Sequence, residues 1–166
     1  MKANNFSLLI LGCLLLLSCR NNTVYMAFRH TDPDGWDKDS VLRFTIPVPD
    51  TAVTYDILLH LTHTQQYPFQ NMWLFVNDYD TTLHQLPQRD TLGFYLADEH
   101  GIWLGRKGNG QVSLHVPYAR HYRFSADTCT FTIRHGMRQD KLQGVTAIGL
   151  EVVRNNRQEK DDNGKE

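Results

Sequence analysis

The sequence predicts an all-β protein: a single β-sandwich, jelly-roll or immunoglobulin-like, of about seven or eight strands. Three observations predict it. Apolar and polar residues alternate with a period of two in several separate segments, as half-buried strands require. Gly, Pro and Asp clusters punctuate those segments at short intervals. No stretch after the N-terminal apolar run carries a convincing helical period of ten residues or more.

Taken in order, Val24 to Phe28 reads as an edge strand. Asp32-Pro33-Asp34-Gly35 is a turn, because Pro fixes φ and Gly accepts positive φ. From Val41 to Val48, Leu42, Phe44 and Ile46 share one face and Arg43 and Thr45 the other, and Pro47 and Pro49 end the segment. Tyr55, Ile57, Leu59 and Leu61 alternate with Asp56, Leu58, His60 and Thr62. Met72 to Val76 is wholly apolar and predicts a central strand buried on both faces, with Trp73 in the core. Thr91 to Leu96, Gln111 to Val116, Thr128 to Arg134 and Val145 to Val153 complete the set. Gly105 to Gly110 has the composition of a loop, and Pro117-Tyr118 that of a turn between His115 and His121. Asn155 to Glu166 has no apolar residue and cannot offset its ordering entropy, so a disordered tail is expected.

The N-terminus carries a different message. Lys2 precedes an apolar run from Phe6 to Leu17, about twelve residues long, which suits a signal-peptide core and is too short to span a bilayer as a helix. It ends in Leu16-Leu17-Ser18-Cys19. A small residue before a Cys, preceded by aliphatics, resembles the lipobox of bacterial lipoproteins, although Leu17 stands where Ala, Ser, Thr or Val is usual. Cys13, after Ile10-Leu11-Gly12, is the rival site and leaves a shorter apolar core. The expected division is therefore a signal peptide over 1–18, a lipidated N-terminus and short tether over 19–23, a sandwich over 24–154 and a polar tail over 155–166. Two or three acyl chains on Cys19, at roughly 0.8 kcal/mol per buried methylene, would hold the protein on a membrane. The residues after it, Arg20-Asn21-Asn22, carry neither an Asp retention signal nor an acidic export cluster. The expected address is the periplasmic face of the outer membrane.

About 148 residues would remain after cleavage, enough for one domain with its own core. Their sixteen basic and eighteen acidic residues give no electrostatic footprint for nucleic acid. Cys129 would be left without a disulfide partner; it shares a strand face with Phe131 and Ile133 and reads as a small buried hydrophobe.

No constellation points to catalysis, a metal or a cofactor. The eight histidines lack zinc-ligand spacing and read as solvated surface residues. Asp32, Asp34, Asp37 and Asp39 crowd one loop, but the EF-hand spacing and its closing Glu are missing, so turn chemistry is expected. Gly105-Arg106-Lys107-Gly108 enters a strand rather than a helix and is not a phosphate loop. Asp98-Glu99 is an adjacent pair, not one spaced for glycoside hydrolysis.

In order along the chain, several short motifs resemble the gliding-motility lipoprotein GldH family of Bacteroidota. They include Gly35-Trp36, Tyr67-Pro68-Phe69, Met72-Trp73-Leu74-Phe75-Val76 and Arg89-Asp90-Thr91-Leu92. Leu96-Ala97-Asp98, Gly101-Ile102-Trp103-Leu104-Gly105, Phe131-Thr132-Ile133, Met137-Arg138-Gln139-Asp140 and Gly144-Val145 follow. The resemblance implies a non-enzymatic accessory role in the envelope machinery of gliding and type IX secretion, with envelope proteins as partners. The residues themselves suggest an interaction surface of Trp36, Trp103, Arg106, Arg138 and Asp140, which mix apolar anchors with charge in loops between strands. The alternative is a glycan-binding sandwich that stacks sugar on Trp36 or Trp103.

Overall fold

A computed structural model describes residues 22–80 and 88–155. Cys19, the signal segment and residues 156–166 lie outside them. Among the described residues there is no helix. Eleven strands run in chain order: β1 Thr23–His30, β2 Trp36–Asp37, β3 Leu42–Pro47, β4 Tyr55–Thr64, β5 Asn71–Asp80, β6 Gln88–Tyr95, β7 Arg106–Gly108, β8 Gln111–Tyr122, β9 Thr128–His135, β10 Lys141–Leu142 and β11 Val145–Arg154.

They form a five-stranded sheet in the order β1-β11-β4-β8-β7 and a four-stranded sheet in the order β3-β9-β5-β6, with β10-β2 as a small ribbon. Every pairing is antiparallel. The all-β sandwich expected from the alternation is therefore the architecture found. The alternating residues face where the period places them: Leu42, Phe44 and Ile46 of β3, Ile57, Leu59 and Leu61 of β4, and Ile148, Leu150 and Val152 of β11 fill the space between the sheets. Cys129 lies there too, with Phe131 and Ile133. As expected, β1 is an edge strand: among the described strands its ladder partner is β11.

Three expectations need correction. β5 is not buried on both faces. Met72, Leu74 and Val76 point into the core, whereas Trp73 and Phe75 point outward and are 45% and 38% exposed. A sheet in a two-layer sandwich has one partner only, so an apolar run cannot be covered on both sides. Pro117-Tyr118 is not a turn, for β8 continues through it to Tyr122. β7 pairs only with Gln111 to Ser113, so beyond them β8 has a free edge on which the missing N–H of Pro117 breaks no ladder. Gly105 to Gly110 is not all loop. Asn109 and Gly110 both take positive φ, 50° and 74°, and close a two-residue hairpin between β7 and β8.

The sandwich has two distinct ends. At one, the chain enters at Asn22 and leaves at Arg154, whose amide donates to the Asn22 carbonyl at 2.8 Å. At the other lie His30, opposite Ala147, and His63, opposite Val145. At strand rise, the ten residues of β4 separate the ends by roughly 30 Å.

Between the sheets, on the side reached by β8, two tyrosines cross the gap. Tyr118 donates its hydroxyl to Asp90 at 2.7 Å and Tyr122 donates to Asp78. Burial, and then the acceptor carboxylates, push both phenols well above their ordinary pKa.

Candidate functional site

Four of the sequence-selected surface residues gather around the end remote from the chain entry. Trp36 opens β2 opposite Leu142 of β10. Its indole N–H donates to the Ser40 carbonyl at 3.2 Å, and the ring meets His135 edge-on at 5.2 Å. At 1% exposure it offers no free face. Arg138 and Asp140 stand exposed in the segment before β10. The Asp140 carboxylate pairs with the Lys38 ammonium, and the contact lowers the pKa of the acid and raises that of the amine. Both partners are open to water, so the pair contributes little stability.

Trp103 is half-buried and bridges to Ala97. Its ring packs at 4.6 Å from His63 and 6.4 Å from Tyr67. Gly144 ties this group to β10: a Cβ there would come within 2.7 Å of the Tyr67 backbone. The fifth residue, Arg106, is exposed on the edge strand β7.

Two histidines behind these tryptophans are buried rather than solvated. The ring of His63 donates through Nδ1 to the Thr64 carbonyl at 2.8 Å, and that of His135 through Nε2 to the Trp36 carbonyl at 3.0 Å. Each has its other ring nitrogen buried without a hydrogen-bond partner. That arrangement fits the neutral imidazole, and burial lowers both pKa values although the accepting carbonyls act in the opposite sense. Among the described residues, no cluster of His, Cys, Asp or Glu is arranged to hold a metal ion. In the acidic loop, Asp32 accepts from the Asp34 amide at 2.8 Å and Asp37 from the Asp39 amide at 2.9 Å, the turn chemistry that was expected.

A second surface was missed by sequence reasoning. On the outward face of the four-stranded sheet, Arg43, Thr132, Asn77 and Arg89 are register partners in one row across β3, β9, β5 and β6. The neighbouring row holds Arg134, Phe75 and Thr91. Tyr79 lies on the other side of the first row. A groove of about 550 Å³ runs over these residues. The Arg134 guanidinium sits 5.9 Å from the Phe75 ring centroid. Asn77 Nδ2 reaches Thr132 Oγ1 at 3.4 Å. Beyond Phe75, Trp73 lies against Gly93, and Tyr95 is 72% exposed. The clue was the composition of alternate β5 positions: Trp73, Phe75, Asn77 and Tyr79 include an amide and a phenol, which suit an outer face better than a core.

A family profile described as GldH lipoprotein matches residues 23–152. The gliding motility lipoprotein GldH of Flavobacterium johnsoniae is 26% identical over 159 residues, covering 92% of this chain and 98% of that one. The GldH homolog of Christiangramia forsetii is 24% identical over 155 residues, covering 86% and 91%. A chain of the tomato aspermy virus structure covers 89% of this chain and is covered over 93% of its own length. It has 11% identity and a TM-score of 0.34, too low to carry an argument.

Proposed function

This chain belongs to the GldH lipoprotein family, and from that membership we propose that it is a lipid-anchored, non-enzymatic accessory of the gliding-motility and type IX secretion machinery of the envelope. The single observation that carries the reading is the extent of the family match, which takes in nearly all of the strand framework. In this reading residues 1–18 are removed, Cys19 bears the lipid, 19–23 form the tether and 155–166 a polar tail. The protein sits on the periplasmic face of the outer membrane.

Its envelope protein partners would dock at the end remote from the tether. There the exposed Arg138 and Asp140, with Arg106 on the nearby edge, make the contact, and Trp36 and Trp103 support the surface from beneath. The burial of Trp36 and half-burial of Trp103 make this more economical than sugar stacking on either ring.

Cells labelled with a fatty-acid analogue test the anchor. Label should vanish with Cys19→Ser, persist with Cys13→Ser and co-fractionate with the outer membrane. Label that survives Cys19→Ser would refute it. Complementation of a deletion strain tests the role. Arg138→Ala should fold normally yet fail to restore gliding or secretion, and full restoration would remove Arg138 from the docking surface.

A further inference from the structure

We propose that the outward face of the four-stranded sheet is a binding site for an acidic, uronate-bearing polysaccharide chain. The inference is independent of the family reading and concerns a different surface from the Trp36 end. It rests on the juxtaposition of Arg43, Asn77, Arg89 and Arg134 with the outward rings of Phe75 and Tyr79 along one groove.

Charge is the first argument. Arg43, Arg89 and Arg134 line the groove, and no ion pair joins any of them to a described carboxylate. Asp90 also lines it, but its carboxylate is taken by the Tyr118 hydroxyl from the opposite sheet. Three guanidiniums against one carboxylate, itself turned toward the Tyr118 hydroxyl, leave the groove net positive and suited to an anionic occupant. The planar guanidinium fork matches a carboxylate in two parallel hydrogen bonds.

Shape is the second. Arg43 and Arg89 sit on the two outer strands, about 14 Å apart at ordinary strand spacing. Phe75 and Tyr79 stand on either side of the row that joins them, also about 14 Å apart along β5. An extended chain crossing the groove would meet charge at both flanks and a ring above and below.

Chemistry is the third. Asn77 and Thr91 supply an amide and a hydroxyl beside the cations, with Asn77 set against the buried Thr132 hydroxyl. Groups that both donate and accept suit the many hydroxyls of a sugar, whereas an acidic polypeptide offers mainly acceptors and backbone. The aromatic rings are held down on the sheet rather than raised: Trp73 over Gly93, and Phe75 at 3.2 Å from where a Cβ on Gly136 would stand. Rings fixed in this way lose little freedom on binding, and the exposed parts of Phe75 and Tyr79 offer apolar surface to the C–H groups of a pyranose, beside the Arg134 guanidinium that lies over Phe75.

The test uses the full-length protein in detergent micelles and titrates it with alginate oligosaccharide, reading heat of binding and tryptophan emission. Saturable binding that weakens with salt is expected. Arg89→Gln and Arg134→Gln should each weaken it by at least about tenfold, the loss of one charge-assisted pair. Phe75→Ala should weaken it comparably, and Phe75→Leu replaces it if the alanine variant melts early. Arg120→Gln, on the other sheet, should leave binding unchanged. Cellohexaose, which is neutral, should bind far more weakly. The proposal is overturned by no saturable binding, by equal binding of cellohexaose, by poly-glutamate binding as tightly as alginate, or by indifference to Arg89→Gln and Arg134→Gln.

Discussion

Gly93 lies directly beneath the indole of Trp73, so close that a Cβ on Gly93 would come within 2.5 Å of the ring. The two are register partners on β6 and β5. Glycine here is a seat for the tryptophan rather than a flexible link. Gly93→Ala should lift the exposed ring off the sheet. Because the ring can move into water, stability should change by less than about 1 kcal/mol, helped by the better strand propensity of alanine. The emission should shift to the red and iodide quenching should rise, with Trp73→Phe as the reference. Unchanged quenching would show that the ring accommodates the methyl where it lies.

Trp36 and Trp103 should separate in a stability assay. Trp36 is fully enclosed, and Trp36→Ala should cost about 3–5 kcal/mol in urea titrations, the range for an emptied aromatic site. Trp36→Phe restores most of the packing but leaves the Ser40 carbonyl without its donor, for a loss of about 1 kcal/mol. Trp103 is half-buried, so Trp103→Ala should fall below the Trp36→Ala value. Equal losses would mean that Trp103 is as essential to the end of the sandwich as Trp36.

Stability should decline on both sides of neutrality for identifiable reasons. His63 and His135 have folded pKa values lowered by burial. Below about pH 6.5 the unfolded chain takes up protons that these rings refuse, so the melting temperature falls as pH drops through that region. His135→Gln keeps a donor toward the Trp36 carbonyl and should flatten part of the slope. Tyr67, Tyr118 and Tyr122 are raised by burial. Above about pH 10 the unfolded chain releases phenolic protons that the native state retains, so stability falls again as pH rises. Tyrosinate absorbance for these residues should appear together with unfolding. Titration of all seven tyrosines in the folded protein near pH 10 would contradict it.

Much of the framework was readable because one face of each strand meets water and the other does not. β3 and β4 alternate cleanly for that reason, and the edge position of β1 follows from its mixed pattern. β5 misled because its outward residues are aromatic: period two was present, but hydrophobicity alone could not display it. The hairpin between β7 and β8 was signalled by Asn109-Gly110, a pair that favours positive φ twice, yet the surrounding glycines and cations read as loop. Pro117 read as a turn because strand exclusion of proline applies to interior positions, and chain order does not reveal which positions have a free edge. The two-residue strands β2 and β10 are too short for any period. As for the candidate sites, Arg138 and Asp140 were legible as exposed charge. The row from Arg43 to Arg89 was not, because it is assembled across four strands far apart in sequence.

The hydrogen bond from Arg154 to Asn22 makes the strand framework a loop that almost closes on itself. A circular permutant follows naturally. Joining 155 to 22 through a few glycines and opening the chain in the exposed turn at Pro33-Asp34 would leave every ladder of both large sheets intact. Such a molecule would carry its new ends at the opposite pole. With the anchor at Cys19 that we propose, a leader and lipid moved there would hang the domain upside down from the bilayer and turn outward the pole that carries Asn22 and Arg154.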